Sequence, residues 1–112
     1  EWHRHGQVIE HELGRYQAFS RPTVCVDELG YHMWFSYRGG LGTKYRIGYA
    51  FSEDGDDWTV DIDRPGIDVA PDGWDSDMME YPFVFDHKGE RYMLYNGNDY
   101  GRTGFGLAVL ER

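Results

Sequence analysis

The two halves of this 112-residue chain match one another in sequence, and no other feature limits its fold as tightly. Pro22 and Pro82 stand 60 positions apart, Gly30 and Gly89 stand 59 apart, and Tyr37/Tyr95 and Gly48/Gly106 each stand 58 apart. Local contexts agree as well, Arg21-Pro22-Thr23-Val24 with Tyr81-Pro82-Phe83-Val84 and Ile47-Gly48-Tyr49-Ala50 with Phe105-Gly106-Leu107-Ala108. Short loop insertions explain the drifting offset. Upstream, Trp2 and Trp58 are 56 apart and open comparable segments. The chain therefore reads as one domain of two units, 1–56 and 57–112. That period suits propeller blades better than helical repeats.

Each unit carries β-strand patterning. Short apolar runs are punctuated by 15 Gly and by aromatics at 17% of the chain, and no stretch sustains a helical apolar stripe. Strands are predicted at Pro22–Val26, His32–Tyr37, Tyr45–Phe51 and Trp58–Ile62, then at Tyr81–Asp86, Arg91–Tyr95 and Gly104–Leu110. Turn residues fall between them, as at Glu28-Leu29-Gly30, Glu53-Asp54-Gly55-Asp56 and His87-Lys88-Gly89. A propeller blade is a four-stranded meander, so the segment from Trp58 is the outer strand of the first blade. The second blade lacks one. A segment like Trp2–Ile9 from a neighbouring copy would complete it, and head-to-tail closure would remove the open edge. A homotrimer of about six blades is the expected ring, with a dimer as the smaller alternative. A piece of a longer propeller is the competing reading.

Charge and composition narrow the function classes. Eleven Lys and Arg against 20 Asp and Glu give a net charge of −9, which excludes a basic nucleic-acid face. The 40% hydrophobic content is too high for disorder. Cys25 is the single cysteine, so no internal disulfide or multi-cysteine metal site forms, and a cytoplasmic location is the default expectation. No apolar run approaches the roughly 20 residues of a membrane span, and no signal-peptide pattern opens the sequence. His3, His5 and His11 lack supporting carboxylate spacing, the Asp-rich run from Asp54 to Asp63 lacks EF-hand order, and no phosphate loop is present. Neither a metal nor a cofactor is expected.

Several runs resemble the five-bladed propeller carbohydrate-active proteins, the superfamily of invertases, levansucrases and arabinanases with their bacterial relatives. They are Ser20-Arg21-Pro22, Tyr45-Arg46-Ile47-Gly48-Tyr49-Ala50 with Ser52-Glu53-Asp54-Gly55 and Trp58, Trp74-Asp75-Ser76-Asp77-Met78-Met79-Glu80-Tyr81-Pro82, and Tyr92 to Ala108. They correspond to the last two blades of such a protein. The resemblance implies that Glu80, before Tyr81-Pro82, occupies the place of the catalytic acid. It also implies a loss, because Ser20-Arg21-Pro22 replaces an Arg-Asp-Pro motif and the first-blade Asp has no counterpart here.

Glycoside hydrolysis needs two carboxyl groups flanking the bond. Glu80 is the candidate acid, with Asp75 or Asp77 as its partner. Sugar binding asks only for an aromatic face and a few fixed polar groups. Trp74, Tyr81, Tyr16, Arg21 and Ser20 are the candidate ligand-binding residues. The reading is a carbohydrate-binding oligomeric propeller without the full catalytic set. A glycosidase using Glu80 is the first alternative, and an assembly protein without a sugar ligand is the second.

Overall fold

The structure, a computed structural model, describes residues 1–40 and 42–111; Leu41 and Arg112, the last residue of the second unit, lie outside the described residues. The chain is all-β, with two antiparallel sheets and a single short helical turn. The first sheet runs in the order β1 (Ala18–Asp27), β2 (Gly30–Arg38), β3 (Arg46–Ser52), β4 (Thr59–Val60). The second runs β5 (Glu80–His87), β6 (Glu90–Asn96), β7 (Phe105–Val109), with the turn α1 (Asn98–Gly101) between its last two strands. Both are meanders. All seven predicted strands form, with ends that differ by a residue or two except at β1, which starts at Ala18 rather than Pro22. The segment predicted at Trp58–Ile62 is the most reduced, pairing with β3 only through Thr59–Val60 before Asp61 N donates to the Tyr49 carbonyl at 2.8 Å.

The repeat extends to backbone detail. In β1 the register to β2 slips between Ser20 and Thr23, and in β5 the register to β6 slips between Glu80 and Phe83. Each slip holds a proline, which cannot donate to the ladder and is tolerated at a bulge. The residue before each proline has left-handed backbone, Arg21 at φ 48° and Tyr81 at φ 59°. Such a conformation costs a bulky residue on the order of 1–3 kcal/mol and persists only where its surroundings impose it.

Ladder partners also correct two of the equivalences drawn from sequence. Asp27 faces Gly30 as His87 faces Glu90, and Phe35 faces Gly48 as Tyr95 faces Gly106. The offset of 60 set by the prolines therefore holds through β2 and β6, and Tyr95 stands in the place of Phe35 rather than Tyr37. Gly89 likewise answers to Leu29 and not to Gly30. The offset becomes 58 only at β7, because 13 positions separate Phe35 from its ladder partner Gly48 and 11 separate Tyr95 from Gly106.

Alternation along the strands sorts side chains between two faces. Trp34, Ile47, Met79, Val84, Met93 and Tyr95 form a buried core between the sheets, with Cys25, Tyr49 and Ala108 packed against it. Met33, Phe35 and Ala50 form a second core on the far face of the first sheet, covered by Ile9, Phe19, Trp58, Val60 and Ile62. The far face of the second sheet carries the aligned rows Phe83, Leu94, Leu107 and Phe85, Tyr92, Val109. It stands open, with Phe83, Phe105, Leu107 and Val109 all exposed. By the ladder offsets these open positions match Thr23, Cys25, Trp34, Tyr49 and Phe51, on the first-sheet face that the second sheet covers.

The segment Trp2–Ile9, expected to complete a neighbouring copy's last blade, pairs with no strand of its own chain among the described residues. The outer edge of the first sheet is already taken by β4, so the segment finds no ladder. Trp2 is 99% exposed, and Ile9 packs on the far face of its own first sheet.

Gly48 and Gly106 show why the repeat keeps glycine. A Cβ at Gly48 would lie 2.6 Å from the Phe35 ring, and one at Gly106 would lie 2.4 Å from the Trp74 ring. Both rings occupy the space a side chain would need. Trp74 has no room to retreat, because its ring stacks on Tyr95 at 5.5 Å and its carbonyl accepts from Asn98 N and Thr103 Oγ1, both at 2.8 Å. We expect Gly106→Ala to lose about 2 kcal/mol by overpacking, read from urea denaturation. Adding Trp74→Leu, which removes the clash, should make the Gly106→Ala step nearly neutral.

Candidate functional site

Where β1 meets β5, the two bulges place their strained residues against each other. The Arg21 guanidinium lies 4.5 Å from the centre of the Tyr81 ring. Tyr81 N donates to Ser36 Oγ at 2.6 Å, fastening the start of β5 to β2, and Met79 N donates to the Tyr45 carbonyl at 3.1 Å. Between them sits Glu80, 0% exposed, and neither of its carboxyl oxygens has a hydrogen-bond partner. Burial, reinforced by the charge of Asp99, pushes its pKa up to about 7. A buried carboxyl without partners is costly, so it stays protonated until something supplies hydrogen bonds.

The rim of this site comes from the turn after β6. Asp99 and Tyr100 both have left-handed backbone, at φ 55° and φ 60°. The strain is held by a clamp of local bonds. Asn98 Oδ1 accepts from Asp77 N at 2.7 Å and Met78 N at 3.1 Å, Asn98 Nδ2 donates to the Gly73 carbonyl at 3.2 Å, and Asn96 Nδ2 donates to the Tyr100 carbonyl at 3.3 Å. The result presents Tyr100, 56% exposed, with its ring 6.4 Å from Tyr81 and 6.0 Å from Tyr45. Arg38 closes the line, 5.9 Å over the Tyr45 ring, with a buried Nε that has no hydrogen-bond partner.

Of the residues singled out from sequence, Glu80, Tyr81, Arg21 and Ser20 gather here. Ser20 is the first-sheet counterpart of Glu80 and pairs with Ser36 across the ladder. Asp75 and Asp77 are engaged elsewhere. Tyr95 Oη donates to Asp75 Oδ2 at 3.0 Å, and Asp77 pairs with Lys44 while its carbonyl accepts from Arg46 Nη1 at 2.9 Å. Trp74 is wedged over Gly97 and Gly106 on the second sheet, and Tyr16 packs with Phe19 and Arg15 just ahead of β1. Sequence reasoning missed Asp99, Tyr100, Tyr45 and Arg38. The run Asn96-Gly97-Asn98 announced a turn, but nothing local said where that turn would land.

A second buried polar cluster joins the sheets at their other end. Arg91 forks onto Asp86 at 2.8 and 3.1 Å and reaches Asp27 at 3.4 Å. His32 Nε2 donates to Asp27 Oδ1 at 2.9 Å, and Tyr49 Oη lies 2.6 Å from His32 Nδ1. The His32 hydrogen bond, more than any other influence, holds Asp27 down at a pKa of about 2. Every member is partnered inside the protein, which marks this cluster as structural. Among the described residues no group of three or more His, Cys, Asp or Glu is placed to hold a metal, and no helix is long and apolar enough to cross a membrane.

No family model matches the chain. Two Mycobacterium tuberculosis proteins, Uncharacterized protein Rv1502 of strain H37Rv and Uncharacterized protein MT1551 of strain CDC 1551, are each 61% identical to it over 94 residues. The match covers 84% of this chain and 30% of each relative, so the chain spans less than a third of the length of those proteins. Among solved structures, one described as a BT0996 RGII complex aligns over 96% of this chain and 49% of its own, at 14% identity and a TM-score of 0.42.

Proposed function

We propose that the chain is a carbohydrate-binding propeller segment of two blades whose site lies at Glu80. One observation carries the reading: a fully buried carboxyl, with both oxygens unpartnered among the described residues, next in sequence to Tyr81, whose ring lies 6.4 Å from that of Tyr100. A sugar meets both needs at once when the site opens to admit it, because its hydroxyls satisfy the carboxyl while its C–H face stacks on tyrosine. Titration of the chain with a panel of mono- and oligosaccharides tests this. We expect saturable binding that quenches tyrosine fluorescence and is lost in Glu80→Ala; a panel without a binder overturns it.

A second reading, glycoside hydrolysis, is favoured by the raised pKa of Glu80, which suits a general acid near neutrality. Asp75 and Asp77 are committed to Tyr95 and Lys44, so Asp99 is the better-placed second carboxyl. Any hydrolysis should then fall at least ~100-fold in Glu80→Gln. Activity surviving that substitution rules the reading out.

We further propose that the ring closes by stacking of whole sheets. The open face of β5–β7 is the repeat equivalent of the first-sheet face covered by the second sheet, so the far face of another copy's β1–β4, with the Ile9 segment moved off it, is its natural cover. Three copies give the expected homotrimer, and two give the dimer. Sedimentation at micromolar concentration should show a multiple of 13.1 kDa, and Leu107→Lys should return the chain to monomer. A wild-type monomer overturns closure by copies of this chain.

A further inference from the structure

The proposed sugar site has an unusual electrostatic rim for so acidic a chain. With 20 Asp and Glu available, Arg21 and Arg38 nevertheless form no ion pair among the described residues. Each lies on a tyrosine face instead, Arg21 on Tyr81 and Arg38 on Tyr45, and Tyr100 bridges the two rings. Arg38 also keeps a buried Nε–H without an acceptor. Guanidinium groups lying over aromatic faces still have N–H groups to give to other acceptors, and those groups match a carboxylate in geometry and charge.

We propose that the ligand is an acidic sugar, a uronic acid residue, whose carboxylate is received by Arg21 and Arg38 while its ring stacks on Tyr100. This rests on the carbohydrate reading of the same site. The polarity of the rim is consistent along its length: two unpaired cations sit on the β1 and β2 side, and Glu80 with exposed Asp99 sits on the β5 and α1 side. A ring with a carboxylate at one end and hydroxyls at the other fits that order. A doubly acidic ligand would meet Asp99, and a neutral one would leave both arginines unanswered. Tyr100 supplies the stacking face, held in place by the clamped left-handed turn.

The test is an NMR titration of the isotope-labelled full chain with methyl glycosides of glucuronic and galacturonic acid against those of glucose and galactose, followed at the amides of Tyr81, Asp99 and Tyr100. The better acidic probe should bind about tenfold or more tighter than its neutral partner, with an advantage that shrinks as salt rises. Arg21→Gln and Arg38→Gln should each reduce that advantage. Arg21 is exposed, so its variant is expected to fold even if the Arg38 variant does not. Equal affinities for acidic and neutral partners, with shifts at these amides, overturn the acidic-sugar inference and leave sugar binding standing. A preference that survives Arg21→Gln also overturns it. No shifts with any probe overturn both readings.

Discussion

Between about pH 4.5 and 7 the chain should lose stability that a Glu80→Gln variant keeps. In the folded chain the carboxyl retains its proton up to about pH 7, whereas its ordinary value is 4.5. Within that window the folded state binds more protons than the unfolded state, so stability falls as pH rises and the loss is complete above about 7. The shift corresponds to about 3 kcal/mol, since each unit is worth about 1.36 kcal/mol. Urea denaturation of both proteins at pH 5, 6, 7 and 8 measures the difference directly. The variant's advantage should be about 1 kcal/mol or less at pH 5 and approach its maximum at pH 8. A constant difference would mean that Glu80 finds partners the fold does not show. A bound sugar should reverse part of the loss, because hydroxyls donated to the carboxyl stabilise its ionised form.

The strands were legible because each is a short alternating run between turn residues, and the repeat gave two independent views of their order. The ends were less so. Starting the first strand at Pro22 follows from proline's missing donor, but the fold continues β1 back to Ala18 by bulging at Arg21 and Pro22. The segment from Trp2 alternates as a strand should, yet a strand also needs an edge, and edges are not local properties. Glu80 was legible by its resemblance and by its place before Tyr81-Pro82. Its isolation from Asp75 and Asp77 was not, because Tyr95 and Lys44 reach those carboxylates from 20 and 33 residues away. The rim has the same cause. Tyr45, Tyr81 and Tyr100 come from three separate segments, and only the packed sheets bring them together.

Arg91→Met should be a costly change in this network, by about 1–2 kcal/mol at neutral pH, because the half-exposed Asp86 is screened by water. The Arg91 side chain is 6% exposed, forks onto Asp86 and reaches Asp27, so its loss removes the ion pairs that tie the two sheets together at this end. Arg91→Lys should cost less, keeping a charge while losing the fork. The repeat supplies the decisive comparison. Asp86 faces Arg91 across its ladder as Val26 faces Tyr31, so the first sheet fills the equivalent pair of positions without charge. The double variant Asp86→Val with Arg91→Met carries that kind of solution into the second sheet, with the flexible Met chain following the path of the Arg stem. Because replacing the ion pair as a whole leaves neither charge without its partner, the double variant should recover part of what Arg91→Met loses. Asp27 keeps its bonds from His32 and Leu29 N and so does not depend on Arg91 alone. Unfolding free energies of the four proteins in the cycle give the coupling between Asp86 and Arg91. Simple additivity, with the double variant losing at least as much as Arg91→Met alone, would show that the pair does not act as a unit.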